Sequence, residues 1–127
     1  MTFFFDNNLP RAISLILSTL DVDATHLKDH FPENTLDIEW LPEIGRRGWV
    51  LITADRTIPR APAERLALRQ AGIISFFFGR WFLRRQKWEQ AQWILKYWRV
   101  IEETAGKAQP GTSYQVTRSC KFTRLAL

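Results

Sequence analysis

A chain of 127 residues with 46% apolar and 13% aromatic side chains has the size and composition of one folded domain, spanning 1–127, and this excludes disorder. Its one cysteine, Cys120, excludes an internal disulfide framework or a Cys-rich zinc site and fits a reducing, cytoplasmic compartment. Eighteen basic against thirteen acidic residues give a net charge of +5, unevenly placed: the acids concentrate before Asp55 and the bases after it, a balance suited to a polyanionic partner.

The opening Met1-Thr2-Phe3-Phe4-Phe5-Asp6 has no basic leader pattern, so no secretory signal is expected. No apolar run is long enough to span a membrane, and no membrane partner is expected. Phe3 to Phe5 predicts a first strand. Asn8 is expected to cap the next helix, with Pro10 in its first turn and Ile13, Ile16, Leu17 and Leu20 at helical spacing. A short strand over 24–27 follows, then an irregular segment through Pro32. Asn34 or Thr35 is expected to cap a helix with the stripe Leu36, Trp40, Leu41 and Ile44, which Pro42 should kink or break and Gly48 should end.

Trp49 to Thr53 predicts the central strand. A helix over 63–71, stopped by Gly72, leads to a strand over 73–78. One long amphipathic helix is expected over 81–104, and a last edge strand over 113–118. The alternation predicts an α/β fold with a mostly parallel central sheet flanked by helices.

Two of the apolar strands run into acids, Asp6 and Asp55, and the helix start between them carries Asp37 and Glu39. Ligands of an open parallel sheet bind in the crevice at the carboxyl ends of its strands. Clustered carboxylates repel unless a proton or cation lies between them, and a hard divalent ion takes oxygen ligands. Each acid also has a duller role available: Asp6 and Asp55 as turn residues, Asp37 and Glu39 as first-turn helix acids.

The segments Phe4-Phe5-Asp6-Asn7-Asn8-Leu9-Pro10, Leu36-Asp37-Ile38-Glu39-Trp40 and Ile52-Thr53-Ala54-Asp55-Arg56 together resemble the PIN-like nucleases, above all the small VapC-type toxins. The resemblance covers about residues 3 to 78. It implies a small three-layer PIN-like fold and metal-dependent hydrolysis of RNA phosphodiesters by the toxin of a toxin–antitoxin pair. It further implies an antitoxin protein as partner. Carried onto this sequence, it implies Asp6, Asp37 and Asp55 as catalytic, metal-binding acids for Mg2+ or Mn2+; Glu39, beside Asp37, is read from the residues alone as a further candidate ligand. Thr53 and Asn8 are supporting residues, and Arg56 and Arg60 are expected to contact the RNA. Asn7 and Thr57 depart from the pattern, standing where relatives often carry acids.

Beyond the resemblance, Phe76 to Arg85 and then Trp88, Trp93, Tyr97 and Trp98 interleave aromatics with arginines, which suits base stacking and phosphate contact. Helical spacing favours core packing for most of them, and an apolar excess on the long helix suggests a homodimer or antitoxin surface. A binding module of the same fold that does not cut is the first rival to a nuclease. A phosphoryl-accepting domain using Asp6 is the second, opposed by Asn8 where such motifs carry a second Asp.

Overall fold

The computed structural model describes residues 1–55 and 57–127; the RNA-contacting role expected of Arg56 lies outside the described residues. β1 (Phe3–Phe5), α1 (Arg11–Thr19), β2 (Ala24–His26), α2 (Asp37–Arg46), β3 (Val50–Thr53), α3 (Pro62–Ala71), β4 (Ser75–Phe78), α4 (Arg80–Leu83), α5 (Lys87–Lys107), β5 (Ser113–Val116) and β6 (Phe122–Arg124) succeed one another along the chain. A single turn of 3-10 helix, Leu27–Asp29, comes directly after β2. The sheet order is β2-β1-β3-β4-β5-β6. Every pairing is parallel except β5 with β6. The mostly parallel α/β architecture expected from the sequence is the one observed. No helix among the described residues is long and apolar enough to cross a membrane.

Side chains of a strand alternate between faces, and the two cores obey that rule. Phe3, Phe5, Val50, Ile52, Phe76 and Phe78 point to one face, where Ile13 and Leu17 of α1 and Trp93, Ile94, Trp98 and Ile101 of α5 cover them. Phe4, Leu51 and Phe77 point to the other, under Trp40, Leu41 and Ile44 of α2 and Leu68 of α3. Runs apolar at every position are what a sheet buried on both sides requires.

α2 stays unbroken through Pro42, so of the expected kink or break the break does not occur. Trp40, Leu41 and Ile44 on its buried face are all 0% exposed, and their packing outweighs the one hydrogen bond that proline removes. Replacing the exposed Pro42 by Ala is therefore expected to stabilise the fold by about 1–3 kcal/mol, read as a higher melting temperature; a lower one would show that the ring is needed. The helix also begins later than expected, with Leu36 rather than Asn34 or Thr35 at its N-cap. Gly45 lets α2 approach α3 closely: a Cβ there would lie 2.7 Å from that of Ala71, closer than atoms pack.

Three further expectations are corrected. Asn8 does not cap α1, whose N-cap is Pro10; its Oδ1 accepts the Ala54 N–H at 3.2 Å, tying the loop after β1 to the end of β3. The long helix is divided after Leu83, because the Gln86 N–H turns to the Glu89 carboxylate at 3.2 Å and starts α5 there. β5 is not an edge strand, since β6 pairs beyond it. The turn between them places Cys120 at φ 57, and burial pushes its free thiol up to about 11, leaving it inert.

Candidate active site

The chain leaves β1 toward β2 on one side and returns as β3 on the other, so the crevice past β1 and β3 is the sheet's topological switch point. Asp6 continues β1, its N–H bonded to the Ile52 carbonyl at 3.0 Å. Its side chain is 4% exposed, and both carboxyl oxygens are engaged. Oδ1 accepts the Asn7 N–H at 2.6 Å and Oδ2 accepts the Thr53 hydroxyl at 2.7 Å. The Thr53 oxygen in turn accepts the Asp55 N–H at 2.9 Å. One buried hydroxyl thus joins two acids that are 49 positions apart in the chain.

Asp37 enters from the first turn of α2. Trp40, one turn further on, donates its indole N–H to Asp37 Oδ1 at 3.1 Å. Burial first, then the charges of Asp6 and Asp55, raise the Asp37 carboxyl from 3.8 to about 7, and it lies within hydrogen-bonding reach of Asp55. Asp6 is raised as well, by burial above all and by Asp55, against the lowering pull of Thr53 and Asn7. Three carboxyls from three separate elements therefore act on one another at the carboxyl ends of β1 and β3.

Glu39 is not drawn into this group. Its Oε1 faces the Leu36 N–H at 3.4 Å, a long contact that places it at the helix start, the duller role open to it. Thr57 gives Asp55 Oδ1 two hydrogen bonds, both 2.7 Å, from its N–H and its hydroxyl. Among the described residues no three acid, histidine or cysteine side chains close around a point tightly enough to form a ready metal cage. The donor chemistry nonetheless fits a small hard cation: the ligands are all oxygen, Asp37 and Asp55 crowd each other, and such ions keep most of their shell as water.

A cleft of about 270 Å3 opens beside Asp55, lined by Arg60, Gly79, Arg80 and Gln115 among others. Arg60, Arg80 and Thr57 also line the opening next to it. Sequence reasoning placed Arg60 here and read Arg80 only within the aromatic and basic stretch suited to phosphate contact; it passed over Gln115. Arg80 lies just past the end of β4, so the rule that picked out Asp6 and Asp55 picks it out too. Trp40, read only as a core residue, is also the partner of Asp37.

The sequence model for the PIN-like domain matches residues 1–80. The chain belongs to the PIN-like domain family. The match runs from β1 to the first residue of α4, so it takes in Asp6, Asp37, Asp55, Arg60 and Arg80 and leaves α5, β5 and β6 outside. No curated protein and no solved structure matches the chain significantly. Membership supports a nuclease-type function for this PIN-like domain.

His26, at the end of β2, holds the loop that comes after Asp6. Its buried ring contacts the Leu9 carbonyl at 2.8 Å through Nε2 and accepts the Lys28 N–H through Nδ1 at 3.1 Å, which fixes the neutral form with its proton on Nε2. Burial lowers its pKa below 6.5. The stability it contributes is present above pH 6.5 and lost as pH falls through the lowered folded value. His26→Gln should weaken this acid-side loss in urea titrations run across that range; an unchanged profile would show that His26 does not titrate with folding.

Proposed function

We propose that this PIN-like domain is a Mg2+- or Mn2+-dependent endoribonuclease, acting in the cytoplasm as the toxin of a toxin–antitoxin pair. The observation that carries the reading is the hydrogen-bonded line from Asp6 through Thr53 to Asp55, with Asp37 alongside, at the sheet's switch point. Asp37 and Asp55 would hold the ion, with Asp6 behind them. Bound there, a divalent cation would polarise the scissile phosphate and acidify a coordinated water.

The remaining work falls to the protein's own groups. The Thr53 hydroxyl fixes the orientation of Asp6, and the Trp40 indole fixes that of Asp37. Arg60 and Arg80, which line the cleft together with Asp55, would meet the non-bridging oxygens of the substrate. Without the ion the Asp37 carboxyl is raised to about 7, so binding of the cation there would release a proton near neutral pH.

Labelled RNA incubated with the chain in magnesium or manganese should be cut, and chelation should stop the cutting. Divalent ions should also raise the melting temperature, since they bind the folded acids. A chain that cuts equally well in excess chelator would sink the proposal. A second reading, an RNA-binding module that does not cut, is favoured by one observation: Thr57 already satisfies an Asp55 oxygen that an ion would otherwise use. Binding without cleavage in any divalent ion would select it. The antitoxin is tested separately, by whether a co-expressed protein from the adjacent reading frame relieves growth arrest.

A further inference from the structure

Past Arg80, on the lining of the cleft, the chain continues with further cations. Arg80 opens α4, and Arg84, four residues on, lies along the same side of the turn. Beside them the Arg85 guanidinium lies over the Trp81 ring, 5.5 Å from its centre, while the Trp81 indole is fixed to the Val116 carbonyl at 3.3 Å. The chain then turns into α5, and Trp88 in its first turn is 75% exposed. That is the largest exposure of any bulky apolar side chain among the described residues.

The charge of this stretch says what would cover the ring. Arg80, Arg84, Arg85 and Lys87 form no ion pair with an acid among the described residues. Glu89, the acid next to them, is turned onto the Gln86 N–H. An acid-poor ledge of four cations with an open aromatic face suits a polyanion that also carries flat apolar groups. Unstacked bases on a phosphate backbone have that chemistry; a duplex keeps its bases stacked on one another.

We propose that the ledge from Arg80 to Trp88 binds single-stranded RNA flanking the scissile phosphate, with Trp88 stacking on a base and Arg84 and Arg85 on the backbone. This rests on the ribonuclease reading for the identity of the ligand and for the direction from which the strand enters. It gives the site a contact beyond the family match at residues 1–80.

The test is fluorescence anisotropy of a short unstructured RNA with the full chain in EDTA, where no metal-dependent cutting intervenes. Trp88→Ala should weaken binding about tenfold and Trp88→Phe should largely retain it. Arg84→Ala with Arg85→Ala should flatten the log–log salt dependence by about 1.4. Unchanged affinity of Trp88→Ala overturns the proposal, as does duplex RNA binding as tightly as the single strand. A variant that turns a dimer into a monomer with RNA affinity intact also overturns it, in favour of a protein interface. RNA held on the ledge but never cut in magnesium would sink the nuclease reading alone, whereas cutting with unaltered binding in these variants would sink the ledge alone.

Discussion

Asp55→Asn is expected to lower metal-dependent RNA cleavage by at least about a hundredfold, the scale of losing roughly 3 kcal/mol of transition-state stabilisation, while the protein melts at the same temperature or higher. Both halves come from one arrangement. On the proposed reading Asp55 would supply a carboxylate to the ion, and without an ion it raises the proton affinity of Asp37 and Asp6 by repulsion. An amide keeps the shape, keeps an acceptor for Thr57, and removes the charge. Asp37→Asn should lose activity to a similar degree and also change how stability depends on pH. The Asp37 carboxyl moves from 3.8 to about 7 on folding, so its favourable contribution is complete below pH 3.8 and is lost as pH rises through about 7. The parent should therefore lose stability across that interval and the Asn variant should lose less. Magnesium should restore the parent and leave the variant nearly unmoved. Cleavage by either variant at the parental rate would remove the acids from the mechanism, and identical pH profiles would show that Asp37 is not held near its neighbours.

Trp40→Ala carries the second large effect, a loss of about 3–5 kcal/mol of stability, out of the roughly 5–15 kcal/mol typical of a domain. The ring is 0% exposed, packs on Phe4 at 5.3 Å between centres, and is the hydrogen-bond partner of Asp37. Denaturant unfolding would read the loss. Trp40→Phe separates its two jobs: it fills most of the volume but donates nothing. That variant should stay folded while Asp37, no longer tethered, loses its position and cleavage falls about tenfold or more. Full activity in Trp40→Phe would mean that the indole N–H does nothing for the site.

Much of this architecture is legible locally. Phe3-Phe4-Phe5, Val50 to Ile52 and Phe76 to Phe78 announce strands buried on both faces because no polar residue interrupts them. Gly72 marks the end of α3 because its φ of 65 suits a residue without a side chain. The acids past β1 and β3 stand out once the residues just beyond each such strand are inspected. Local reading fails where a short-range preference competes with a distant partner. Pro42 has the mark of a breaker, but the packing of α2 against β1 and β3 is not visible in its own turn. Asn8 has the mark of a cap, but the free N–H of Ala54 bids for it from 46 residues away. The division of α4 from α5 rests on the Gln86–Glu89 pair, a short signal overridden by the stronger apolar periodicity around it.

Neighbours along the chain are enough to specify the strands, their burial on both faces and the acids at two of their ends. They are not enough to bring Asp37 to Asp55, to set the Thr53 hydroxyl between the Asp6 carboxyl and the Asp55 N–H, or to place Arg80 with Asp55 on the lining of one cleft. Those arrangements depend on strand order, and strand order is set by how helices on both faces bury their apolar stripes together. The proton affinity of Asp37 is likewise a property of the folded site: an isolated aspartate titrates near 3.8, and only burial beside Asp6 and Asp55 raises it to about 7.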